Sequence, residues 1–141
     1  LIGESLMAGY PWGGRIDLQV YAGDPVPWQV MEGYFARNDT QGREIAAFTS
    51  REDMDARFGA AATMSGLPTP VDFATHFVVA VTLPETGYST RVLPAAMFRA
   101  ADRLFFIYRE ESGEEQSYSI RPVLLVQVAN KFHGELVPIK Q

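Results

Sequence analysis

The chain has 141 residues, with 12 basic against 17 acidic side chains, a formal net charge of −5, two histidines and no cysteine. This length predicts one domain that hides about two-thirds of the surface its unfolded form exposes, and a content of 47% apolar, 12% aromatic and 21% charged residues is globular rather than disordered. Disulfides, thiolate metal sites and cysteine nucleophiles are excluded outright, and an acidic excess with dispersed Lys and Arg opposes a nucleic-acid partner.

Residues 1–14 mix Gly, Pro and aromatics without a period and read as an irregular lead-in. From Arg15 to Tyr21, Ile16, Leu18 and Val20 alternate with polar residues, as a half-buried strand requires. Gly23-Asp24-Pro25 breaks that strand, and Trp28 to Ala36 resumes as a second one. A turn cluster at Asn38–Gly42 precedes a short strand, Glu44 to Phe48.

A helix is predicted over Arg51–Phe58. Ser50 serves as its N-cap and Asp53 as a capping-box partner; Met54 and Phe58 share one face, and Gly59 ends the helix in a left-handed conformation. So short a helix is marginal in isolation, so Met54 and Phe58 should dock on a sheet. Asp72 to Thr75 reads as one helical turn capped by Asp72. Phe77 to Leu83 follows, apolar on both alternating faces, which predicts a central strand covered above and below. Pro84 and Gly87 bracket a turn, with Gly87 supplying a positive φ there. Tyr88 to Leu93 reads as strand, Pro94 to Ala101 is ambiguous, and Ala101-Asp102 turn into the apolar Leu104 to Tyr108.

Glu110 to Glu115 around Gly113 reads as a hairpin tip, from which Gln116 to Ala129 returns with Pro122 forcing a bulge or an edge. Asn130-Lys131 turns into a last strand, Phe132 to Ile139. The expected fold is α+β, mostly β: a single domain with an antiparallel curled sheet or half-barrel of about 7–8 strands in a meander, and one short helix (51–58) packed on it. The longest apolar runs, Phe77 to Val81 and Leu104 to Tyr108, are too short to cross a bilayer as helices.

Reactive constellations do not emerge from the spacing. His76 and His133 stand alone, without the paired spacing that makes ligands converge on a metal. No Gly-x-Ser-x-Gly turn presents a nucleophile. Glu110, Glu111, Glu114 and Glu115 read as solvated residues of the tip rather than an acid/base pair. A carboxylate hydrolase would need Asp72, Glu32 or Glu44 to converge on a pocket, and a small-ligand carrier would need an interior cavity. No cofactor and no metal is implied. Tyr10 and Trp12, with Trp28, form either a rigid aromatic contact surface or a plug at one end of the fold.

The run Asp72-Phe73, the apolar strand Phe77 to Leu83, the turn Thr86-Gly87-Tyr88-Ser89 and a late Pro-containing strand resemble the C-terminal domain of PrcB-type protease-complex subunits over about residues 45–140. That resemblance implies a non-catalytic exported protein-binding domain of the cell envelope, periplasmic or at the cell surface and associated with a partner protease. A cleaved leader or lipid anchor ahead of Leu1 would accompany such export. The same resemblance makes Glu85, Thr86, Gly87 and Tyr88 a contact loop with Tyr88 as its anchor. Thr86-Gly87-Tyr88 and Arg121-Pro122 also resemble chagasin-type inhibitors of cysteine proteases, although Val123 stands where that family has Trp.

Overall fold

A computed structural model describes residues 23–37, 42–64 and 66–141. The strand expected over Arg15–Tyr21, the lead-in 1–14 and its Tyr10 and Trp12 lie outside the described residues. Within them the fold is α+β and mostly β, built on two open four-stranded sheets.

The first sheet has the order β1 (Asp24–Pro25), β7 (Thr86–Ala100), β8 (Arg103–Ile120), β10 (Glu135–Lys140). The second has the order β2 (Gln29–Met31), β9 (Val123–Ala129), β6 (His76–Thr82), β4 (Glu44–Phe48). A small two-stranded sheet pairs β3 (Tyr34–Ala36) with β5 (Phe58–Ala60).

The alternating apolar pattern explains how the sheets stack. Phe77, Val79 and Val81 of β6 and Leu124, Val126 and Val128 of β9 point one way, and there they meet Val92 and Met97 of β7 with Leu104, Phe106 and Tyr108 of β8. The intervening Val78, Ala80 and Leu125 point the other way, onto Met31, Phe48, Val71 and the helix residue Met54 with its successor Phe58. β6 is therefore covered on both faces, as its unbroken apolar run requires.

The helix α1 (Arg51–Arg57) starts where the capping signal places it: Ser50 Oγ accepts from the Asp53 N–H at 3.2 Å. Its end differs from expectation. Gly59 is not left-handed; Phe58, with φ −132°, takes the chain straight from the helix into β5. Gly59 is needed for another reason, since a Cβ there would lie 2.3 Å from the ring of Phe35, its cross-strand partner. The turn at Asp72 forms as expected, with Asp72 Oδ1 accepting from Ala74 N–H at 2.9 Å and the Asp72 carbonyl from His76 N–H at 2.9 Å.

Five further expectations are corrected. Trp28 to Ala36 is two strands rather than one, because Gly33, at φ +88°, turns the chain from the second sheet into the small one. Gly87 lies inside β7 and has no positive φ. Glu110 to Glu115 is no hairpin tip: β8 runs unbroken for 18 residues to Ile120, and the tip is at Ala101-Asp102, where Ala101 takes φ 55°. The second half is not a simple meander. After Arg121-Pro122 the chain crosses to the other sheet as β9, pairing with β6, and β10 returns to lie parallel to β8; Asn130–Phe132 form a 3-10 turn, so the last strand begins at Glu135 rather than Phe132.

Candidate functional site

The two histidines serve separate structural contacts. His76 Nδ1 lies 2.8 Å from Thr75 Oγ1, and the His133 ring packs edge-on against Phe77 with centroids 5.1 Å apart. Among the described residues, no three His, Cys, Asp or Glu gather into a set that could hold a metal. Two of the three carboxylates considered for hydrolysis are separately occupied: Glu44 pairs with Arg57 at 3.2 Å and Asp72 caps its own turn.

The two strands of the β7–β8 hairpin outlast their sheet. β1 borders β7 only at Phe98 and Arg99, and β10 borders β8 only from Arg103 to Tyr108. Beyond these points Thr86–Leu93 and Arg109–Ile120 pair with each other, β8 bulging at Gly113-Glu114 and over Gln116–Ser119, and both outer edges lack a strand partner among the described residues. The result is a two-stranded arm. Such ribbons are marginal alone, and this one is held at its base by charge. Glu110, with its side chain only 14% exposed, is engaged by Arg43 at 3.1 Å from the start of β4 and by Lys140 at 3.5 Å from the end of β10. Glu110 is thus a tie between the layers and not the solvated tip residue expected of it. Further out, Arg91 and Arg109 flank Glu111 at 2.7 and 3.2 Å.

The sequence-predicted contact residues fall on this arm and its base. Glu85 and Thr86 line a cleft of about 200 Å3 that also involves Arg43, Glu110 and Ser112. Gly87 is unobstructed, with nothing within 4 Å of the position a Cβ would take. Tyr88 is 50% exposed and stands opposite Glu115. Its backbone is fixed locally: its N–H donates to Thr86 Oγ1 at 3.2 Å, and its carbonyl accepts from Thr90 Oγ1 at 3.0 Å. Trp28 does not join them; it is half-buried against the core between the sheets.

Sequence reasoning missed the other side of the arm. Tyr118, 60% exposed and accepting at its hydroxyl from Gln116 Nε2 at 3.1 Å, is on β8, as are Glu114 and Glu115, both exposed. The alternation of polar and apolar residues that marks a half-buried strand is missing there, because neither face of this stretch is buried. Among the described residues the arm offers exposed aromatic area, carboxylates without a cationic partner and backbone edges, all of them means of binding. Comparison with protein-family models, with curated proteins and with solved structures finds no match for the chain.

Proposed function

We propose that this domain works by binding another protein through the β7–β8 arm, without chemistry of its own, as an exported component of the cell envelope. The observation that carries the reading is the arm itself: two paired strands leave the sandwich with exposed Tyr88 and Tyr118 on them. Tyrosine supplies large contact area at small entropic cost, which is why it recurs at the energetic centre of interfaces. Placement in the envelope and a protease as the partner rest on the likeness of residues 45–140 to PrcB-type subunits. The chagasin-type inhibitor reading has less support, because Thr86-Gly87-Tyr88 lies within a paired strand and not at the tip of a loop.

The test is capture from envelope extracts with the wild-type domain and with Tyr88→Ala. A partner held by the wild type should bind the variant about tenfold more weakly, the loss usual for a central tyrosine. Equal recovery of every partner by both proteins refutes Tyr88 as the anchor of the contact surface.

A further inference from the structure

The first sheet has two faces, and only one meets the second sheet. Leu104, Phe106 and Tyr108 of β8 point into the core between the sheets, so Phe105 and Ile107 point outward. The register sets Phe98 of β7 and Val137 of β10 on either side of Phe105, and Ala96 and Ile139 on either side of Ile107. Three strands thereby assemble an apolar face on the side away from the second sheet. Apolar patches spanning several strands are rarely left to water. This one is closed: within the single chain Ile107 is wholly buried and Phe105 is only 9% exposed. Among the described residues, the apolar side chains packed on these two all belong to the same sheet. Such neighbours flank a side chain but do not cover it from above.

The described chain begins at the corner of this face. Gly23 lies against the edge of β7, where a Cβ would meet the Arg99 carbonyl oxygen at 2.7 Å and Ala100 Cβ at 3.2 Å, and Ala100 belongs to the outer face. A cleft of about 590 Å3, lined by residues that include Gly23, Asp24 and Phe105, opens there. From β1 to β10 the face is three strand spacings wide, about 14–15 Å, which about five residues of extended chain cross. Twenty-two residues precede Gly23, and from Arg15 to Tyr21 they carry Ile16, Leu18 and Val20 at alternate positions.

We propose that residues 1–22 of this chain are the cover of the outer face, with Ile16, Leu18 and Val20 against Phe105 and Ile107. A second copy is a poorer occupant, because a face already closed within one chain offers it no area. The inference stands apart from the binding reading above.

The experiment places a photoreactive group on the face of the full chain by Phe98→p-benzoylphenylalanine, at a half-buried position. Irradiation at micromolar concentration, followed by peptide mapping, should give a cross-link within one chain to a residue among 1–22. The triple substitution Ile16→Ser, Leu18→Ser and Val20→Ser should lose most of that cross-link and gain binding of the dye ANS, which reports uncovered apolar surface. Urea unfolding verifies that this variant folds; if it does not, the cross-link in the otherwise native chain still decides.

A cross-link between two chains makes a second copy the occupant, one confined to residues after Gly23 makes another part of the fold the cover, and none leaves the face open. Each of these overturns the inference, as does a folded triple variant that keeps the cross-link at full yield. None of them bears on the arm, whose own test is the capture with Tyr88→Ala.

Discussion

Gly33→Ala is expected to be among the more damaging single-methyl changes in this molecule, and a control within the same chain isolates the reason. Gly33 and Gly42 both have positive φ, +88° and +77°. A left-handed conformation costs a residue with a Cβ about 1–2 kcal/mol, partly offset by the smaller entropy of the unfolded alanine chain, so Gly42→Ala should lose roughly 1 kcal/mol. No described residue lies within 4 Å of its Cβ position to add to this.

At Gly33 the new Cβ would lie 2.8 Å from Pro68 Cα and 3.0 Å from the Ala61 carbonyl oxygen, where ordinary contact begins at 3.4 Å. Pro68 cannot retreat freely. Its neighbour Thr69 donates its N–H to the Glu32 carbonyl at 3.0 Å, and Thr69 Oγ1 accepts from Glu32 N–H at 3.0 Å. Overpacking of this kind adds about 1–3 kcal/mol, bringing Gly33→Ala to roughly 2–4 kcal/mol. Urea unfolding of the wild type and both variants under one condition measures the difference. A Gly33→Ala loss no larger than that of Gly42→Ala refutes the close approach as a determinant of the fold.

Met54 is wholly buried where α1 meets the second sheet; Met54→Ala should cost about 3 kcal/mol in urea unfolding, and a loss below about 1 kcal/mol would mean that the helix is not anchored there. Burial raises the pKa of the Tyr108 phenol above its ordinary value of 10.0, with Arg43 lowering it and Glu110 raising it. A raised folded-state pKa contributes stability that is complete below pH about 10 and is lost as pH climbs through the folded value. Wild type should therefore lose more stability than Tyr108→Phe between pH 9 and about 11.5, seen in urea midpoints, and parallel losses would contradict this assignment.

Local chemistry announced itself in the sequence wherever a short segment determines its own conformation. The Ser50 cap, the Asp72 turn, the turn at Ala101-Asp102 and the doubly covered Phe77 to Leu83 all form as the residues indicate. What stayed hidden depends on partners distant in the chain. Glycine among glutamates at 110–115 carries the composition of a tip, yet pairing with β7 holds the segment as strand, and a Cβ added at Gly113 would lie 3.5 Å from Ser89 on that strand. Strand direction is hidden as well: the pattern of Glu135 to Lys140 is the same whether it runs with β8 or against it. Tyr88 drew notice in the sequence through the Thr86–Ser89 motif, whereas the exposure of Tyr118 was not legible, since it comes from the sheet ending beside it.

The parallel pairing of β10 with β8 has a bearing on synthesis. As the ribosome extends the chain, β8 emerges well before the segment that will lie against Arg103 to Tyr108, because β9 must first be made and cross to the opposite layer. For that interval a nascent ribbon with an apolar, unbordered half is present, the kind of species that aggregates or recruits chaperones. A premature stop codon ahead of Glu135 would make the interval permanent, and the truncated polypeptide should be recovered mainly from inclusion bodies.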